Sequence, residues 1–316
     1  MRSSENTAFA PGWYTVAASQ DIGTKPKRFL LNGLPIVTFR DSTGQSVALL
    51  DRCAHRNAPL SAGRAVGGNI ECHYHGWQFD GAGECKAVPG LCGKPEHAAR
   101  RVPSFACRDS QRWMWVYSEA GVDPDSEPYE IPFADHPGYL TIRERLEMPG
   151  PLEAVAENAL DVPHTAFVHA GLFRKNKDRK VIEVVIRALD GGAEAQFIGE
   201  QRPEGLAGRL LAPQGGTTAL TPRTPNVTDL FATVAVKAPI PNAILRGVVK
   251  PVAMRILRQD MEILRRQTEQ VERFGGEEFA STEIDVLGLR IKKLLREASS
   301  GKFGPLQEER RIKMLV

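Results

Sequence analysis

Cys53-Ala54-His55-Arg56 and, after Glu71, Cys72-His73-Tyr74-His75-Gly76-Trp77 are the stretches on which the reading of this chain turns. The pattern is C-x-H followed by C-x-x-H, with sixteen residues from Arg56 to Glu71 between the two. Two thiolates and two imidazoles suffice for one tetrahedral zinc ion. They also suffice for a two-iron cluster in which both cysteines hold one iron and both histidines the other. Zinc knuckles usually pair like ligands, C-x-x-C with H-x-x-H. Here each loop contributes one Cys and one His, which suits a cluster with one all-sulfur and one all-nitrogen iron. Four unrelated loop residues would have no reason to repeat that arrangement.

Outward from these loops the chain reads as β structure. Apolar runs alternate with turn residues at Trp13 to Ala17, Phe29 to Leu31, Pro35 to Phe39, Val47 to Leu50 and Trp113 to Tyr117. All five cysteines lie between Cys53 and Cys107. An odd, clustered set points to metal ligation rather than a disulfide framework. Cys85, Cys92 and Cys107 are then expected to be plain thiols, and His73 a loop side chain. The chain has 316 residues, 42% of them hydrophobic and 25% charged, with a net charge of +3. No basic run is interleaved with aromatics, so nucleic acid is not an expected partner. No stretch is long and apolar enough to predict a transmembrane helix. The segment MRSSENTAFAPGWYTV has no apolar core behind Arg2, so no secretory signal is expected and a cytoplasmic protein is.

A polar, Pro-containing segment from Ser118 to Pro132 reads as a linker. Beyond it a strand is expected from Tyr139 to Leu146, and a helix from about Leu152 to Phe167 with Pro151 at its start. Strands follow over Val181 to Arg187 and Leu230 to Val236, then helices from Val252 to about Phe274 and from Val286 to about Ala298. Asn158, Asp161, His164 and His169 form N-x-x-D-x-x-H-x-x-x-x-H. The spacing places the first three near one helix face, and Pro163 with the helix end lets His169 swing in. Two histidines beside open positions begin a facial triad for non-haem Fe(II); by themselves they would be ordinary polar positions at a helix end. No histidine follows His169, so a third ligand must be a carboxylate. Asp260 is flanked at three or four residues by Ile256, Leu257, Ile263 and Leu264 and so shares an apolar face. There an unpaired carboxylate would be costly unless a metal takes it or the side chain reaches solvent from the helix flank. Glu262 points to another face.

The two cysteine–histidine loops resemble those of Rieske proteins over about residues 12–118, with Arg56, Gly76, Trp77 and Trp115 in agreement. Ala58 and Tyr74 stand where respiratory-chain Rieske proteins carry an extra disulfide, so the resemblance is to the oxygenase type, at the lower end of about −150 to +300 mV. With the second motif, and with Arg258-Gln259-Asp260-Met261-Glu262-Ile263-Leu264 on the late helix, the whole chain resembles the Rieske non-haem iron oxygenases. That resemblance implies an α+β architecture. An all-β Rieske domain (12–118) would be followed by a helix-grip, START-like catalytic domain (128–316) with an antiparallel sheet and C-terminal helices.

The resemblance also implies roles. Cys53, His55, Cys72 and His75 would hold the [2Fe–2S] cluster, and His164, His169 and Asp260 a mononuclear Fe(II). Asp161 would bridge toward the cluster of a neighbouring subunit, and Asn158 would be a close non-ligand. Only ninety residues separate His169 from Asp260, which leaves little chain for lids over a substrate. The implied activity is that of a terminal oxygenase using O2, with electrons from a separate reductase or ferredoxin, since no G-x-G-x-x-G follows a strand. A head-to-tail homotrimer is implied, because a heterologous interface closes under three-fold rotation. The region from Ser281 resembles members that oxidise large polycyclic lipids or pigments, so a hydrophobic, sterol-like substrate is expected for hydroxylation or oxidative demethylation. The second reading is an aryl-ether demethylase or aromatic ring hydroxylase. The third is a non-catalytic Rieske electron-transfer protein. The basic amphipathic stretch Val286 to Arg296, with Leu287, Ile291, Leu294 and Leu295 in a stripe, is expected to pack on the core; it is also where the protein would touch a membrane surface.

Overall fold

Runs rich in Val, Ile, Phe and Thr make strands because branched and aromatic side chains fit a pleated, buried surface. In the computed structural model, which describes residues 10–170, 180–189, 192–199, 215–237, 241–285, 287–300 and 309–315, these runs build two compact units. One comprises residues 11–130 with 221–224; the other takes in 131–220 and 225–316.

The first unit contains β1 (Trp13–Ala18), β2 (Lys27–Leu31), β3 (Leu34–Arg40), β4 (Ser46–Leu50), β5 (Arg64–Val66), β6 (Asn69–Glu71), β7 (Gln78–Phe79), β8 (Cys85–Ala87), β9 (Ser104–Ser110) and β10 (Trp113–Ala120). Six strands form a sheet in the order β1-β10-β9-β4-β3-β2, and four form a second, β5-β6-β7-β8. Asn32 and Gly33 join β2 to β3 with φ of 48° and 79°, the positive pair that a two-residue hairpin turn demands. Val37, Phe39, Leu49, Leu60, Ile70 and Phe79 form a core that also encloses Cys53, Cys72 and Cys85. The small sheet was not legible beforehand: its strands are two or three residues long, too short to show a period. The first cysteine–histidine loop lies between β4 and β5, the second between β6 and β7.

The second unit contains β11 (Leu140–Pro149), α1 (Leu152–Leu160), α2 (Thr165–Val168), β12 (Val181–Leu189), β13 (Gly192–Ile198), β14 (Gly215–Thr224), β15 (Val227–Val236), α3 (Asn242–Phe274), α4 (Gly288–Ser300) and β16 (Arg310–Leu315). The sheets are β11-β15-β14 and β13-β12-β16. Leu140, Ile142, Leu146 and Met148 are buried on alternate positions of β11, the period-two signature of a strand with one covered face. The cover is α3. Leu245 and Val249 pack on Leu140, Ile142 and Val236, while Leu257, Met261 and Leu264 pack on Leu146, Met148 and Leu230. This is the expected α+β arrangement, with antiparallel sheets and C-terminal helices.

Three boundaries differ from expectation. Residues 152–167 are not one helix: α1 ends at Leu160, and Asp161 has the extended ψ of 114°. Pro163 explains the break, since its ring disfavours helix at Val162 and it has no N–H to donate. Helix α3 starts ten residues before Val252 and runs through Pro251, at the cost of one backbone hydrogen bond. Helix α4 starts at Gly288; Val286 lies outside the described residues. Leu287 is buried, and Ile291, Leu294 and Leu295 are partly buried, so the apolar stripe faces protein. No helix among the described residues is long and apolar enough to cross a membrane.

Candidate metal centres

The two cysteine–histidine loops have the same backbone design. Cys53 N–H donates to Ala58 O and its carbonyl accepts from Asn57 N–H; Cys72 N–H donates to Trp77 O and its carbonyl accepts from Gly76 N–H, at 2.8 to 3.0 Å. The fourth residue after each cysteine turns left-handed, Asn57 at φ 60° and Gly76 at φ 69°. Asn tolerates that conformation and Gly adopts it freely. At Gly76 any Cβ would also stand 2.9 Å from Pro89 Cγ. Two equivalent loops thus present one Cys and one His each to a shared space.

The donors fit a two-iron cluster. Cys53 and Cys72 are each 2% exposed. Burial, reinforced by the adjacent Cys72, pushes the Cys53 thiol up to about 11, so cluster assembly must displace protons from a buried thiol pair. Burial, then His75 and Arg56, hold His55 below its ordinary value, which keeps the imidazole in its ligating form. His55 Nδ1 is buried without a hydrogen-bond partner, a cost that a metal removes. The two imidazoles meet edge to face, with ring centroids 4.5 Å apart. Among the described residues, only His164, His169 and Asp260 bring three donor atoms within 4.8 Å of one another. The remaining thiols are free: Cys85 is buried, Cys92 exposed, and Cys107 donates to Ser46 O at 2.8 Å.

In the second unit, the break after α1 aims the other donors. His164 and His169 flank the single turn of α2, and Asp260 sits midway along α3. His169 Nε2 lies 3.1 Å and His164 Nε2 3.5 Å from Asp260 Oδ1, and the two Nε2 atoms are 3.3 Å apart. A metal about 2.1 Å from three donors at right angles sets them about 3.0 Å apart, and at tetrahedral angles about 3.4 Å. The observed triangle matches. Asp260 Oδ1 is buried without a geometrically sound hydrogen bond, as a ligand atom would be. Asp260 is therefore not a flank residue reaching solvent: it is 8% exposed. Burial alone would raise its carboxyl, but His164 and His169 hold it below the usual range.

Both imidazoles are oriented from behind. His169 Nδ1 is 3.0 Å from Gln259 Oε1, so Nδ1–H donates and Nε2 keeps its lone pair. His164 Nδ1 is 3.4 Å from Asp161 Oδ2, an ion-pair approach without hydrogen-bond geometry. Burial opposes protonation of His164, but Asp161 and Asp260 outweigh it and raise the group to about 9. Outer partners of this kind fix the tautomer and ring direction of metal ligands. Asn158, on the last turn of α1, is not in the triad; with Asp161 and Asp285 it lines a cavity of about 200 Å³. Glu262 is half-exposed and pairs with Arg265 and Arg266 instead. Gln259 was not singled out from the sequence. Its signal there is its place beside Asp260 in the stretch Arg258-Gln259-Asp260-Met261-Glu262-Ile263-Leu264, which carried the resemblance without a role for the glutamine.

Comparison with known proteins agrees with this geometry. Residues 12–105 match the family described as Rieske [2Fe-2S] domain. The chain is 33% identical over 204 residues to the oxygenase component of dicamba O-demethylase from Stenotrophomonas maltophilia, covering 63% of this chain and 58% of that protein. It is 35% identical over 149 residues to chloroplastic chlorophyllide a oxygenase from Chlamydomonas reinhardtii, covering 46% of this chain and 22% of that protein. The chain thus spans less than two thirds of these relatives. A crystal structure of dicamba monooxygenase bound to 3,6-dichlorosalicylic acid superposes with a TM-score of 0.80 at 22% identity, over 92% of this chain and 97% of that one. The chain therefore carries a Rieske [2Fe-2S] domain over residues 12–105, is similar in sequence to oxygenases over about half its length, and shares the fold of dicamba monooxygenase.

Proposed function

We propose that this protein is the terminal oxygenase of a multicomponent system and oxidises a C–H bond of an apolar, ring-containing small molecule. The observation that carries the reading is the buried His164–His169–Asp260 triangle in a chain that also has a Rieske domain. Iron held there, with electrons from the cluster, would supply the O2 activation. Among the described residues the triangle has only three donors, so positions stay open for exchangeable ligands, as in facial-triad sites and unlike closed structural ones. Gln259 and Asp161 hold the two imidazoles so that Nε2, not Nδ1, faces the metal position.

In this reading residues 12–118 form the cluster domain and 128–316 the iron domain. Cys53, His55, Cys72 and His75 hold the cluster, and His164, His169 and Asp260 the iron. Asp161 couples the iron of one subunit to the cluster of the next in a homotrimer. Its side chain, 38% exposed, touches His164 on one side and is open to another chain on the other. Asn158 lies beside that route without ligating. A separate reductase or ferredoxin supplies electrons, and the system is placed in the cytoplasm.

Hydroxylation is the reaction, and where the attacked carbon is a methyl on oxygen or nitrogen the product loses it. A polycyclic, sterol-like molecule is the first substrate class to test, followed by aryl methyl ethers. Similarity to proteins named for chlorophyllide a and for dicamba supports testing both classes. The test is a substrate panel with a generic reductase, following O2 and NADH together. Coupled consumption with one class, and three irons per chain, supports the proposal. Two irons per chain and no substrate-dependent O2 uptake would leave only an electron-transfer role.

A further inference from the structure

The second cluster loop supplies more than Cys72 and His75. Its Trp77 reaches across to the first loop. The indole lies parallel to the His55 imidazole, at 2° between planes and 4.7 Å between centroids. This is offset stacking within the favoured range. The far side of Trp77 is tied down: it packs against the core that encloses both cysteines, its ring is 6.4 Å from Phe79, and its carbonyl accepts from Cys72 N–H at 2.8 Å. His75 is held differently. Its aromatic neighbour is Tyr74, tilted by 41° at 3.8 Å, and Tyr74 is 62% exposed. One imidazole is therefore stacked on a partly buried plane that packs against the core, and the other leans on a side chain at the surface.

We propose that Trp77 is a positioning residue for the cluster: by stacking on His55 it sets the plane of that imidazole and hence the direction of its buried Nδ1. The inference rests on the reading of Cys53, His55, Cys72 and His75 as cluster ligands. The physical reason is torsional. His55 Nδ1 has no hydrogen-bond partner, so no protein acceptor fixes the ring rotation about its Cβ–Cγ bond. That torsion is broad and intrinsically weak. A parallel indole is the one contact described for His55 that selects a plane, because the His75 ring meets it edge to face at 66°. Orbital overlap between an iron and an imidazole depends on that plane. The reduced cluster's EPR pattern and potential should then depend on the residue at position 77, even where folding does not.

The test compares Trp77→Leu and Trp77→Phe with the parent protein. Iron and acid-labile sulfide, thermal midpoint, EPR of the reduced cluster and midpoint potential would be measured on each. With two cluster irons retained, the Leu variant should show broadened, shifted EPR features and a shifted potential. The Phe variant, which restores a flat ring, should return both toward the parent. A Leu variant that loses the cluster while Phe keeps it supports the same conclusion. Unchanged EPR and potential in a loaded Leu variant overturn it. So does equal cluster loss in Leu and Phe, which would make Trp77 a packing residue only. If the parent protein itself shows no sulfide and no Rieske EPR signal, the ligand reading fails, independently of Trp77.

Discussion

Gln259→Leu isolates the outer partner of a proposed metal ligand from the ligand itself. Gln259 Oε1 stands 3.0 Å from His169 Nδ1, and the His169 side chain is 2% exposed. Leucine keeps the volume but offers no acceptor, so Nδ1–H becomes a buried donor deprived of Oε1. Such a donor costs about 1–3 kcal/mol. By a separate route, losing an outer partner of a ligating histidine lowers metal affinity by roughly 10–100-fold, or about 1.4–2.7 kcal/mol at 1.4 kcal/mol per tenfold. The two figures agree, as they should if the ring's orientation is needed chiefly by the metal-bound form. Gln259 also lines an open groove with Arg255, Arg258 and Glu262, which is why Leu is preferred to Ala: a smaller side chain would admit water as a substitute acceptor. Gln259→Glu is the counterpart, since it keeps an acceptor and makes the imidazole more basic. Protein stripped of mononuclear iron would be reloaded with Fe(II) under anaerobic conditions against a chromophoric chelator, with the Rieske spectrum as internal control. We expect a loss of roughly 10–100-fold for Leu and none for Glu. A Leu variant within twofold of the parent would refute the assigned role of the hydrogen bond.

Cys72→Ser should abolish the Rieske visible and EPR spectra; a surviving spectrum would remove Cys72 from the ligand set. Asp260→Ala should lower iron from about three to about two atoms per chain with the Rieske spectrum intact, because two imidazoles alone hold the remaining site weakly; Glu262→Ala should retain all three, and the reverse pattern would exchange their roles. Asp161→Asn should leave both metal sites loaded yet slow reoxidation of the reduced cluster in single turnover with substrate and O2, and a normal rate in a fully metallated sample would contradict the coupling assigned to it. Leu264→Ala empties a fully buried position packed on Met148, Val155 and Leu230 and should cost about 2–5 kcal/mol, read as a lowered denaturant midpoint; a change below about 1 kcal/mol would show that this helix face is not a tight core.

Local chemistry explains how much could be read before the fold was known. Each pair Cys53–His55 and Cys72–His75 sits on one short loop whose own hydrogen bonds set its shape, so spacing alone was enough to single out the four as candidate ligands. The same holds for the alternation along β11 and for the apolar face of α3, because strand and helix periods are properties of neighbouring residues. Distance along the chain made the rest illegible. Asp260 is ninety-one positions from His169, and nothing local distinguishes a ligand carboxylate from one that reaches solvent. Only the packing of α3 across β11 and β15 buries it against two imidazoles. The break at residues 161–164 follows from Pro163, yet where it directs His164 and His169 depends on what α3 places opposite. Gln259 acquires its proposed role solely because folding sets His169 beside it, and Trp77 because it stacks on His55 of the other loop. Sequence determined which residues are able to bind metal; tertiary structure decided which of them converge, since convergence requires the close approach of chain segments that share no local period.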